Sequence, residues 1–254
     1  MARSISLVIT PFLIASCCIM AGSCATTYVR VPAVCPHDPL CLDERPDAGP
    51  AARTREDGYI RRHAESTVEV RGLRYLPNQG IRTQTGIGAL IGARGYVLTA
   101  YHLVEGASSV TVALHASGHD GGTARGREIP AIPLMLSREE DVALLLLPSG
   151  ERLPPSLPIR SGPVITNDDV RFIGAGAALK RGRVIDADIT EGIDRSFADA
   201  RISASAEDSG APVMNVCGEI VGVALGPFGK KGALRFVTID RALKALSLTP
   251  ADLR

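Results

Sequence analysis

The sequence predicts an all-β fold, and three observations carry that reading. Its apolar mass is mostly Val, Ile, Leu and Ala, alongside 26 glycines, 17 prolines and no tryptophan. That composition suits a β-rich domain with many turns better than a helical bundle. From about Glu65 onward, short apolar runs alternate with glycine, proline and charge, giving roughly a dozen strand candidates at a spacing that indicates a sandwich or barrels. A single stretch near the C-terminus looks distinctly helical. About 185 residues in one β-rich unit is a comfortable size for two small fused barrels.

In order, the strand candidates are Ser66 to Arg71, Gly86 to Ala93, Tyr96 to Thr99, Ser109 to Leu114, Ile132 to Leu136 and Asp141 to Leu147. The series continues with Asp169 to Ile173, Arg183 to Ile189, Arg201 to Ser205, Val213 to Val216, Glu219 to Leu225 and Leu234 to Thr238. Between Asp240 and Leu248, the residues Ala242, Leu243, Leu246 and Leu248 fall on or near one helical face, which predicts a closing helix. The 28 basic and 27 acidic side chains nearly cancel. No field of one sign would draw the chain to nucleic acid or to an anionic membrane surface.

The N-terminus reads differently. Arg3 precedes an uncharged run from Ile5 to Gly22, the pattern of a secretory signal, with Pro11 and the small residues at its end opposing a membrane-spanning helix. Ala21-Gly22-Ser23-Cys24 resembles a bacterial lipoprotein box, with residues 1–23 as the leader and Cys24 as the lipidated, palmitate-bearing first residue. Ile14-Ala15-Ser16-Cys17 fits the same pattern with a shorter leader. Simple signal cleavage and an uncleaved anchor are the other readings, and all three put the rest of the chain outside the cytoplasm. Residues 24–64 lack apolar periodicity and read as a flexible tether. Cys35 and Cys41 are spaced to close a short loop in an oxidising compartment, and His37 reads as a solvated loop residue. No cysteine pair has zinc-site spacing; no metal and no cofactor are expected. Cys217, at a strand end, reads as a small buried hydrophobe.

Three stretches carry chemistry. Tyr96-Val97-Leu98-Thr99-Ala100-Tyr101-His102 runs an apolar strand into a histidine, rigidly held and with a pKa suited to general base work. Arg138-Glu139-Glu140-Asp141 leads into an apolar strand, so Asp141 is drawn toward the interior, where a histidine N–H is a suitable partner. Glu139 and Glu140 read as solvated charges. Glu207-Asp208-Ser209-Gly210-Ala211-Pro212 projects a serine from a tight, small-residue turn. The order His102, Asp141, Ser209 differs from that of α/β-hydrolases and of subtilisins, and is the chymotrypsin order.

From Glu65 to Leu248 the chain resembles the chymotrypsin/trypsin-fold serine proteases, nearest to the bacterial HtrA (DegP-like) protease domain. The resemblance rests on Thr85 to Ile91 with Gly95-Tyr96-Val97-Leu98-Thr99, on Asp141-Val142-Ala143-Leu144-Leu145, and on Val170 to Gly174. It continues in Ser209-Gly210-Ala211-Pro212 with Gly218 to Gly222, and in Arg235 to Ile239. It implies two six-stranded antiparallel β-barrels over residues 65–250, a short C-terminal helix and a polypeptide substrate. Ser209 would be the nucleophile, His102 the base, and Asp141 its orienting acid. Backbone N–H groups across Glu207, Asp208 and Ser209 would form the oxyanion hole. Ser203 and Ala204, with Val223, Ala224 and Leu225, would line the substrate pocket, and Ser203 in place of an acid argues for a small or medium apolar preference.

The pattern also has departures. The family has glycine where this chain has Glu207, so its reading divides between an active endopeptidase and a catalytically impaired binding or scaffold lipoprotein. A left-handed Glu207 would cost about 1–2 kcal/mol, and a flipped peptide would remove one oxyanion donor. No activation site of the Ile-Val-Gly-Gly type precedes the domain, so Asp208 must find another partner or stay hydrated. No PDZ domain is expected, and oligomeric state is not indicated.

Overall fold

The structure, a computed structural model, describes residues 58–60, 63–77, 80–114, 126–160, 162–191, 195–228 and 232–253. The leader, Cys24, Cys35, His37 and Cys41 lie outside these residues.

Six strands close the first barrel: β1 (Thr67–Leu76), β2 (Gly80–Ile91), β3 (Tyr96–Ala100), β4 (Ser109–Leu114), β5 (Glu128–Ser137) and β6 (Val142–Leu146). They are ordered β1-β2-β3-β6-β5-β4 around the ring. The second barrel uses β7 (Asp169–Ile173), β8 (Leu179–Glu191), β9 (Arg195–Ser203), β10 (Pro212–Met214), β11 (Ile220–Phe228) and β12 (Ala233–Thr238). Its order is β10-β11-β12-β9-β8-β7. All described pairings between these strands are antiparallel, and closure removes the open edges that a flat sheet would leave. The expected double barrel with a short helix is the observed fold.

Alternation builds each interior. Val68, Val70, Val97, Val110, Val112 and Leu145 fill the first barrel, and Phe172, Val184, Ala198, Val213, Val221 and Phe236 fill the second. A further cluster occupies the seam between them, where Leu98, Val142 and Leu144 from the first meet Met214, Val223 and Val237 from the second. Helix α1 (Ile239–Ala245) closes this seam by burying Ile239, Ala242 and Leu243, with Leu246 just beyond its end. Each fully buried Ile or Leu contributes about 1.5–3 kcal/mol, so the helix is held by packing rather than by its short length.

Strand ends depart from the sequence expectation where hairpins leave the core. β1 and β2 continue past the apolar runs, pairing Leu73 with Thr83 and Tyr75 with Ile81. Ladder hydrogen bonds carry that extension after the hydrophobic signal has ended. Inside the second barrel's wall, Arg235 forms a two-pronged pair with Asp199, at 2.9 and 3.1 Å, and lies over the Phe228 ring.

Packing begins earlier than the expected end of the tether. Residues 58–60 and 63–66 are helical, and Tyr59 and His63 are buried. Their rings are stacked at 4.0 Å between centroids. The buried Arg171 guanidinium lies 5.3 Å from the Tyr59 ring centre. Tyr59→Ala is expected to cost about 3 kcal/mol or more in urea unfolding, as for other large buried aromatics. Tyr59→Phe, which keeps the buried ring, should cost far less, because the hydroxyl's contact to the Asn215 carbonyl is long, at 3.4 Å.

Candidate active site

Strand β3 ends at Ala100, and the chain tightens into a 3₁₀ turn over Tyr101–Leu103. Leu103 is buried in the first barrel and pins the turn, leaving the intervening His102 ring at a cleft. Asp141 holds that ring from two directions. Its Oδ1 accepts the His102 backbone N–H at 2.8 Å, and its Oδ2 faces Nδ1 at 2.7 Å. A carboxylate against Nδ1 places the imidazole proton there and leaves the Nε2 lone pair for other work. Asp141 itself has φ 53, in the left-handed region that aspartate tolerates better than most residues. Its carbonyl accepts the Tyr101 N–H at 3.0 Å.

Ser209 reaches the same region from the second barrel, at the end of a 3₁₀ turn over Ala206–Asp208. Its carbonyl accepts the Ile87 N–H of β2 at 2.7 Å, across the seam. Gly210 follows with φ +83, and a Cβ there would lie 2.0 Å from the Ile87 carbonyl oxygen, so no other residue fits. The Ser209 hydroxyl donates to the Leu225 carbonyl at 3.2 Å. A cleft of about 330 Å³ runs between the barrels, lined by Tyr101, His102, Glu105, Arg138, Glu139 and Asp141 on one side and by Phe197 and Leu225 on the other.

The expected oxyanion hole at Glu207, Asp208 and Ser209 is not open in this conformation. The Ser209 N–H donates to the Ala206 carbonyl at 3.2 Å, and the Asp208 N–H to the Ser205 carbonyl at 3.1 Å. Glu207 is absent from the residues with positive φ, so the strained left-handed alternative is not taken. Two local causes favour the closed turn. A side chain at position 207 removes the glycine freedom that the open arrangement uses. Ser205 and Asp208 also form a reciprocal capping box, each side chain meeting the other's backbone N–H. The Ser-x-x-Asp spacing of that box is visible in the sequence and was the available signal for it.

Asp208 has found a partner. Its fully buried carboxylate takes the Lys180 ammonium at 2.5 Å, the Ser205 N–H at 2.7 Å, the Ser205 hydroxyl at 2.9 Å and the Ala175 N–H at 3.1 Å. Burial is the largest influence on its pKa and acts upward. The Lys180, Ser205 and Ala175 donors together outweigh it and hold the carboxyl below its ordinary value. Nothing local in the sequence singles out Lys180, because strand pairing, not chain proximity, brings it to Asp208.

Other expectations are revised. Val223 and Ala224 are buried in the seam and the second barrel's core, with Ala224 also bonded through its backbone to Gly210 and Ala211. Among the five expected pocket residues only Leu225 lines the cleft; Ser203 is exposed and Ala204 half-buried. Glu140 is buried rather than solvated and pairs with Arg241 of α1, because the turn before β6 folds against the seam. Cys217 is half-buried and disulfide-bonded rather than a free buried hydrophobe, with its partner outside the described residues.

Two closed six-stranded barrels, with His102 and Asp141 lining the cleft between them and the Ser209 hydroxyl on the carbonyl of Leu225 at that cleft, define the chymotrypsin-type architecture. The profile of the trypsin-like peptidase domain matches residues 86–223, and the chain belongs to that family. Among solved structures, the Rv3671c protease from M. tuberculosis in its active form is 23% identical, with TM-score 0.61, covering 80% of this chain and 89% of that one. Its inactive form gives TM-score 0.59 at 23% identity over 79% and 96%, so overall shape does not distinguish the two states. The HtrA-type protease AlgW with a decapeptide is 20% identical, with TM-score 0.59, over 75% of this chain and 66% of that one. The fold is thus shared with HtrA-type proteases. A probable membrane transporter protein, MamO of Magnetospirillum gryphiswaldense, is 31% identical over 154 residues, 56% of this chain. This chain spans only 23% of the length of MamO.

Because the folded-state pKa of Asp208 is lowered, its stabilising contribution is complete above the unfolded value, about pH 4, and is lost as pH falls through the folded value. Lys180→Met removes a lowering influence and lets burial raise that pKa. In thermal unfolding from pH 7 downward, the midpoint of the variant should begin to fall at a higher pH than that of the parent.

Proposed function

We propose that the chain is an exported serine endopeptidase in which His102, Asp141 and Ser209 hydrolyse peptide bonds through an acyl-enzyme. The observation that carries this reading is the double hold of Asp141 on His102, which fixes both ring orientation and tautomer. In the reaction, Ser209 Oγ attacks the scissile carbonyl while His102 Nε2 takes its proton, and the imidazolium returns that proton to the leaving amine. Water then repeats the sequence on the ester. Two local movements precede attack from the conformation described. The hydroxyl leaves the Leu225 carbonyl for Nε2, and the Ala206–Glu207 peptide turns so that the Ser209 N–H faces the substrate oxygen. A polypeptide substrate is in keeping with the peptides bound to AlgW.

A second reading, a protease-fold binding or scaffold protein without turnover, is favoured by one specific observation. The Ser209 N–H is spent on the Ala206 carbonyl, and Glu207 sits where the family has glycine. MamO, of whose length this chain spans 23%, bears a transporter rather than a peptidase description, which points the same way. A fluorophosphonate probe separates the readings. Labelling of folded protein that disappears in Ser209→Ala supports the endopeptidase, and absence of label sinks it. Glu207→Gly is expected to raise the labelling rate by about 10²-fold, the usual worth of one oxyanion donor.

The proposed location is a bacterial cell envelope, with Cys24 carrying the lipid that anchors the chain. Radiolabelled palmitate supplied to expressing cells should enter the parent chain and be lost in Cys24→Ala. Retention of label in that variant would rule out Cys24 as the attachment point.

A further inference from the structure

Glu140, immediately before Asp141, is buried in a turn that otherwise faces the cleft. One carboxylate oxygen accepts Nη2 of Arg241, and the other, Oε2, is buried and accepts no hydrogen bond. A carboxylate in that state persists only beside a compensating cation. That cation comes from α1, the helix that follows the last strand of the second barrel and closes the seam, while Glu140 belongs to the first barrel.

Asp141 needs such an anchor. It is left-handed, so its turn holds only if the residues on both sides are fixed. Downstream, Val142 is locked between Ala100 and Ser137 in the β3-β6-β5 ladder. Upstream, the Glu140 N–H reaches Ser137 Oγ only at 3.4 Å, so the Arg241 pair is the stronger hold. The same pair crosses the seam, tying the turn that orients His102 to the barrel that carries Ser209.

We propose that Glu140 and Arg241 form a positioning pair for the reacting groups, setting the Asp141 carboxylate against His102 and holding that unit in register with Ser209. The proposal rests on the reading of His102, Asp141 and Ser209 as the reacting groups, although its first readout needs no turnover.

The test compares the parent with Arg241→Met, Arg241→Lys and the double variant Glu140→Gln/Arg241→Met, which leaves no buried unpaired charge and so protects folding. The first readout is solvent exchange of the His102 Nδ1 proton by NMR. Exchange is expected to quicken about tenfold in Arg241→Met and in the double variant, as for loss of one charge-assisted hydrogen bond, with Arg241→Lys recovering most of it. The second is fluorophosphonate labelling of Ser209, expected to slow about tenfold in maximal rate with little change in probe affinity. Parent-like exchange in the folded double variant would overturn the proposal and leave the pair a purely structural brace. Quickened exchange rescued by lysine, in a chain that never labels, would uphold the positioning pair while removing the endopeptidase reading.

Discussion

The hydrogen bond from the Ile87 N–H to the Ser209 carbonyl, 2.7 Å across the seam, sets the terms for the whole site. His102 and Asp141 belong to one barrel and Ser209 to the other, so no property of either barrel alone brings them near one cleft. Close approach of two backbones is required. Gly210 permits it on one side, and Gly86 on the other, where a Cβ would meet the Ser209 carbonyl oxygen at 2.6 Å. The apolar cluster in the seam then supplies the free energy that holds the halves together, and α1 covers it.

Given that frame, the state of the serine loop is a local competition. The closed turn satisfies the Asp208 and Ser209 N–H groups internally and keeps Glu207 out of the left-handed region. Turning the peptide forfeits a hydrogen bond of about 1 kcal/mol, and left-handed strain at Glu207 adds about 1–2 kcal/mol. A sum of this size is within reach of substrate binding, so the closed turn is compatible with a slow protease as well as with a silent one. The Lys180–Asp208 pair contributes differently. It fixes the base of the loop inside the barrel.

The elements that could be read from the chain were those with a repeating local signal. Twelve apolar runs became twelve strands, and Ser109–Leu114 and Asp169–Ile173 kept their expected limits, because turn residues and burial begin at the same positions. The hairpin of β1 and β2 outran its apolar run, since cross-strand pairing needs no apolar pattern. Glu140 looked like its exposed neighbour Glu139, and only the packing of α1 against the same turn gave it a cation and buried it. Cys217 read as a small buried hydrophobe, because nothing around it in the sequence announces a disulfide made with a distant part of the chain.

By itself, then, the sequence determined the all-β class, the order His102, Asp141, Ser209 and the conflict at Glu207, because residue type, spacing and alternation are local properties written along the chain. Tertiary structure decided how that conflict is resolved in the folded chain, which cation meets Asp208, what buries Glu140, and that Val223 and Ala224 are core rather than pocket. Those outcomes depend on which strands pair and which faces meet across the seam. Barrel closure sets both, and no window of sequence contains it.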